Sequence, residues 1–85
     1  MPEEASIAPL KRKILLFFKE HPQAVETIRG IATWLGEEEK AIAAALEDLV
    51  GRRWLSCDKT NAVRGYVLTR ETKALAQIEG FLEAS

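Results

Sequence analysis

Two short helical periods joined by a single glycine, followed at once by an alternating period, leave the middle of this chain few ways to fold. Ile28, Ile31, Ala32 and Leu35 recur at the spacing of one helical face. Thr27 stands before them as a natural N-cap, and Gly36 behind them as a natural helix end. The spacing therefore predicts a helix of barely two turns. Ile42, Ala45, Leu46 and Leu49 carry a second helical stripe, within a helix expected from about Glu37 to Gly51. The pattern then becomes extended. Trp54–Cys57 reads as a strand, Asp58–Ala62 as a turn rich in turn formers, and Val63–Thr69 as the returning strand with Val63, Tyr66 and Leu68 apolar. Gly65 is expected to mark a bulge or a close backbone approach.

On the N-terminal side, a first helix should begin near Ser6 or Pro9, both suited to a first turn, and stop at His21-Pro22. Leu10, Ile14 and Phe17 define its inner face, with Ile7 and Phe18 close by. Residues 1–6 are polar and expected to be frayed. Ala24-Val25-Glu26 reads as an extended link or a minimal strand. After the hairpin, residues 70–84 should form a last helix with Leu75, Ile78 and Leu82 on one face and Phe81 beside them. The whole is one domain, residues 1–85, of class α+β and mostly α: a three-helix core, a two-stranded β-hairpin and a C-terminal helix. An apolar fraction of 47% supplies one core and no more.

Thr27 with Ile31-Ala32, the Leu35-Gly36 turn, Leu46 with Leu49, Trp54-Leu55 and the Tyr66-Val67-Leu68-Thr69 strand together resemble the winged helix-turn-helix domains of small MarR-like and ArsR-like prokaryotic transcription regulators. The resemblance covers nearly the whole chain. It implies a DNA-binding domain whose second helix-turn-helix helix enters the major groove and whose hairpin wing lies beside it. One departure is visible. Arg53 stands where such domains commonly place a glycine ending that helix, and Gly51 is expected to take over two residues earlier.

The charges fit that function unevenly. The net charge is −1, but residues 37–48 hold five acids and one base, whereas residues 49–70 hold Arg52, Arg53, Lys59, Arg64 and Arg70 against Asp58. At 100° per residue, the outward face of the 37–51 helix contains Glu37, Lys40, Ala43, Ala44, Glu47 and Asp48. Base reading favours Arg, Lys, Asn, Gln, Ser or Thr, and this face offers Lys40, with Ala43 and Ala44 limited to touching a thymine methyl. Acids facing a polyanion cost affinity. Arg52, Arg53, Lys59 and Arg64 flank or occupy the hairpin, and read either as a phosphate-contacting wing or as charges that blunt an exposed edge. Lys11-Arg12-Lys13 reads as a solvated face.

The first helix has more apolar residues than one face needs, so Leu15 and Leu16 are expected to point sideways or out. Together with Phe81 they are candidates for a homodimer interface, unless the last helix folds over them. Trp34 falls on the flank of its helix and is expected to be partly exposed. No catalytic or metal-binding constellation appears. His21 is the one histidine and ends a helix, and Cys57 is the one cysteine, read as buried and structural. No cofactor is implied. No apolar run reaches the ~18 residues of a membrane span, and the single cysteine fits a reducing compartment, so a cytoplasmic protein is expected. Two main functions compete, with a module of a larger assembly acting on RNA or DNA ends as a weaker third. One is a winged-helix transcription regulator or accessory protein that contacts DNA mainly through a basic wing. The other is a winged helix used for protein–protein contact through its acidic, alanine-faced helix.

Overall fold

The computed structural model describes residues 3–58 and 64–84, with side chains from Ala8 onward. Within them the order is α1 (Glu3–Glu20), α2 (Ile28–Leu35), α3 (Glu39–Gly51), β1 (Leu55–Asp58), β2 (Gly65–Leu68) and α4 (Thr72–Ala84). The class is α+β and mostly α. Lys59 and Val63, with most of the expected turn, lie outside the described residues, as do Met1 and Pro2 and the side chains of Ser6 and Ile7.

Helix α2 forms where its caps dictate. Thr27 is extended, and its hydroxyl accepts from the Gly30 amide at 3.0 Å. Gly36 closes the helix at φ 67°, and its amide donates to the Ala32 carbonyl. Helix α3 begins at Glu39 rather than Glu37, because Glu38 is still extended and makes no side-chain cap. Three glutamates nevertheless sit near its positive end, where the helix dipole favours them.

The end of α3 corrects the sequence expectation. Gly51 is helical, and Arg53 takes the left-handed conformation at φ 65°. Its amide donates to the Val50 carbonyl at 2.9 Å, and the Trp54 amide donates to the Leu49 carbonyl at 3.0 Å. This is the Schellman arrangement, in which the residue after the left-handed one packs back on the helix. Trp54 and Leu49 are both buried. Burial of Trp54 holds the turn shut, so an arginine tolerates a backbone that glycine would adopt freely.

Strands β1 and β2 pair antiparallel with Leu55 opposite Leu68 and Cys57 opposite Tyr66. The register is unbroken, so Gly65 marks no bulge. What lies against it is a side chain rather than backbone: a Cβ there would meet Val25 Cγ1 at 2.6 Å. The Ala24–Glu26 link does act as a minimal strand, since Glu26 and Tyr66 exchange amide–carbonyl bonds of 3.1 and 2.7 Å.

The core is built on α3, whose Ile42, Ala45, Leu46 and Leu49 are all fully buried. Helices α1 and α2 and strand β1 pack against it. Leu35 and Leu68 border this core and are half-buried. In α1 the buried arc runs from Leu10 through Ile14, Phe18 and Lys11 to Leu15, roughly 140° at ~100° per residue. That corrects two expectations. Leu15 is fully buried within its own chain rather than outward, and Phe17 is half-buried at the margin. The arc is displaced because α1 meets α2, α3, α4 and β2 together. Leu16 and Phe81 are half-buried against the core. Helix α1 also begins earlier than expected, so residues 3–6 are helical and Pro9 sits in the second turn. There it forgoes one amide bond to the preceding turn.

Leu46→Ala is expected to cost about 2–5 kcal/mol, as truncation of a buried leucine does. Arg53→Gly should stabilise by about 0.5–1 kcal/mol, since removal of ~1–2 kcal/mol of left-handed strain outweighs the added freedom of the unfolded chain. Gly51→Ala should also stabilise, by about 0.5–1 kcal/mol, because Gly51 is helical with open space at its Cβ. Urea unfolding measures all three. A loss of stability in Gly51→Ala would restore Gly51 as the helix terminator.

Candidate nucleic-acid interface

The orientation of α3 leaves Lys40, Ala44 and Glu47 exposed and Ala43 half-buried. Two acids expected on this face turn away from it. Asp48 accepts from Lys11 Nζ at 3.1 Å and from Arg52 Nε at 2.8 Å. Glu37 accepts from Lys13 Nζ at 2.7 Å. Arg29 of α2 lies 3.7 Å from Glu39 in an exposed pair worth little in water. Bases of α1 and α2 are thus spent on acids in and before α3. Glu38 and Glu47 are exposed and have no cationic partner among the described residues.

Lys11 departs furthest from expectation. Instead of a solvated charge it is 4% exposed, with its ammonium 6.0 Å from the Phe81 ring centroid. The apolar stem of a lysine can lie in a core while the head finds a carboxylate, and Asp48 is that carboxylate. Burial pushes the Asp48 carboxyl up, but the hydrogen bonds and charges of Arg52 and Lys11 together outweigh it and hold the group below its ordinary value of 3.8. Arg52 also lies over the Trp54 ring at 5.5 Å. It is therefore a structural residue of the α3–hairpin junction before it is a contact for any ligand.

Arg53 and Arg64 are exposed, and no carboxylate pairs with either, or with Lys40, among the described residues. Arg53 stands at the base of β1 and Arg64 just before β2. Lys59 lies outside the described residues. Between α2, α3 and the hairpin lies a cleft of about 290 Å³ lined by Ile28, Ala43, Glu47, Val50, Cys57, Arg64 and Tyr66. Its floor is mostly apolar, and Glu47 and Arg64 give it one charge of each sign. Cys57 is half-buried there rather than fully buried. Burial, and then the neighbouring Cys57, push the Tyr66 phenol above its ordinary value against the opposing pull of Arg64. Tyr66 thus presents a neutral hydroxyl beside Arg64. A wider groove of about 980 Å³ runs past Arg53 and Arg70, but Asp58 and Glu71 line it too, so it has no single sign.

No group of three or more His, Cys, Asp or Glu among the described residues could hold a metal ion. Among the described residues, no helix is long and apolar enough to cross a membrane. The sequence missed the Lys11–Asp48–Arg52 cluster. Its one local signal is the Asp48–Arg52 spacing of four residues on a helix; the contact with Lys11 spans 37 positions.

Removing either end of the buried pair should have unequal effects. Asp48→Ala leaves the Lys11 ammonium buried without a partner and should cost about 2–3 kcal/mol, below the ~3–5 kcal/mol of a fully buried pair. Lys11→Met keeps the packing and leaves Asp48 with Arg52, so its cost should stay under about 1 kcal/mol. The Asp48 value is lowered on folding, so its stabilisation is full above the unfolded value and is lost as pH falls through the lowered one. Thermal unfolding between neutral pH and pH 3 should therefore show a shallower acid loss in Asp48→Asn. Equal costs for Asp48→Ala and Lys11→Met would contradict this account.

No protein-family model matches the chain, and neither the curated proteins nor the solved structures yield a match, so the interface rests on the residues of this chain alone.

Proposed function

We propose that the chain is a winged-helix domain of a transcription regulator or accessory DNA-binding protein that meets DNA chiefly through its wing. The fold reading is supported by the capped α2–Gly36–α3 unit followed by a hairpin, with the Glu26–Tyr66 bridge tying the link before α2 to that hairpin. The observation that carries the mode of binding is the division of charge. Arg53 and Arg64 at the hairpin are exposed and unpaired with acids, whereas the open face of α3 presents Glu47 beside two alanines and one lysine. Phosphates are bound by unneutralised bases, and base edges are read by hydrogen-bonding side chains that α3 lacks. The wing then supplies affinity without sequence, and α3 supplies a neutral, closely approachable surface.

A second reading, a winged helix used for protein contact, is favoured by the apolar-floored cleft beside Ala43. Small residues at its edge would let a partner helix approach closely.

Titration of a labelled duplex at several salt concentrations separates the two. Binding through two or three phosphates should be weaker than about 10⁻⁶ M, with a log–log salt slope of about −2 to −3. Arg64→Ala should weaken binding to all sequences alike and reduce the slope by about one. Glu47→Lys should strengthen it. No binding at low salt, even by Glu47→Lys, would refute the DNA reading and leave the protein-partner reading.

A further inference from the structure

Trp34 is the largest side chain left in solvent, at 66% exposure. Its indole does not stand alone. Its centroid lies 5.7 Å from the Phe17 ring and 6.4 Å from the His21 ring, and Phe17 and His21 are 5.0 Å apart. The three rings are tilted at 38–47° to one another rather than stacked, and Trp34 and His21 are exposed while Phe17 is half-buried. Phe17 in turn meets the fully buried Phe18 edge-on at 5.3 Å. The trio is thus an exposed aromatic surface whose half-buried floor is fixed to the core.

Among the described residues, the unpaired charges next to it along the chain are acidic. Lys13, one turn before Phe17 on the same face of α1, is taken up by Glu37 at 2.7 Å. Glu20 next to His21 and Glu38 next to Glu37 are exposed and without a cationic partner among the described residues. An anionic occupant would be repelled, and a purely apolar one would leave the carboxylates unused. A cation uses both, since ring faces attract it by their quadrupole and the acids by their charge. Arginine fits better than lysine, because a flat guanidinium stacks on tilted rings and still donates to carboxylates.

We infer that the Phe17–His21–Trp34 surface receives an arginine side chain from a segment of a partner protein. This contact is separate from the wing and independent of whether the wing binds DNA.

The test is a titration of the ¹⁵N-labelled full chain with an arginine hexapeptide at low salt. The Trp34 indole N–H should shift, while that of Trp54, buried and bonded to Gln77, should stay in place as the control for folding. A lysine hexapeptide should bind more weakly. Read from backbone amides, affinity should fall about threefold to fivefold in Trp34→Ala, the scale of an exposed cation–π contact. The Glu20→Gln/Glu38→Gln double variant should also bind more weakly. An unmoved Trp34 indole would overturn the proposal, as would arginine-peptide affinity unchanged in Trp34→Ala. So would a thymidine oligonucleotide that shifts Trp34 more than the peptide does, which would make the surface a base-stacking platform.

Discussion

The buried stripe of α3 is the constraint from which the other features follow. Once Ile42, Ala45, Leu46 and Leu49 all face inward, the rotation of the helix is set, because a turn one way would carry Glu39 into the core and a turn the other way Asp48. Helices α1 and α2 and strand β1 are then placed by what they bury against that stripe. The same constraint fixes the outer face. What remains there is Lys40, Ala44 and Glu47, with Ala43 at the edge of the cleft. The poverty of that face in hydrogen-bonding side chains is thus a direct consequence of how the core is packed.

The acids beside α3 have a second consequence. A basic run on α1 would normally widen a phosphate-binding surface. Here Lys11 and Lys13 are drawn onto Asp48 and Glu37, so the run joins α1 to α3 instead. The buried Lys11–Asp48 pair is costly to break from one side only, which favours one angle between the two helices. Arg52 belongs to the same cluster and lies over Trp54, whose indole donates to Gln77 on α4. One charge network therefore links α1, the end of α3, the root of the hairpin and α4.

Much of this was legible in the sequence wherever the signal is local. Thr27, Gly36 and the α3 stripe act within a turn or two of themselves, and Gly65 was marked by its missing side chain. The failures share one cause, which is long-range packing. Phe17 and Leu15 exchanged roles because α1 packs against several elements at once, and a single-face periodicity gives only the mean direction of a broad buried arc. Lys11 looked solvated because its partner lies 37 residues away. At the end of α3, the local glycine signal is Gly51, whereas the deciding residue is Trp54. Its spacing of five from Leu49 lets a buried contact close the turn over Arg53. Of the candidate site, the residue types were visible, but which bases remained unpaired could be learned only once the ion pairs were placed.

We propose that the hairpin, held in place by the buried stripe of α3, is the surface that meets DNA. Chemical-shift mapping of the ¹⁵N-labelled chain against a short mixed-sequence duplex at low salt tests it most directly. The account predicts that the largest changes fall on Arg53, Arg64 and their hairpin neighbours, with only small ones at Ala43, Ala44 and Glu47. Dominant changes along the exposed face of α3, with the hairpin unmoved, would contradict it.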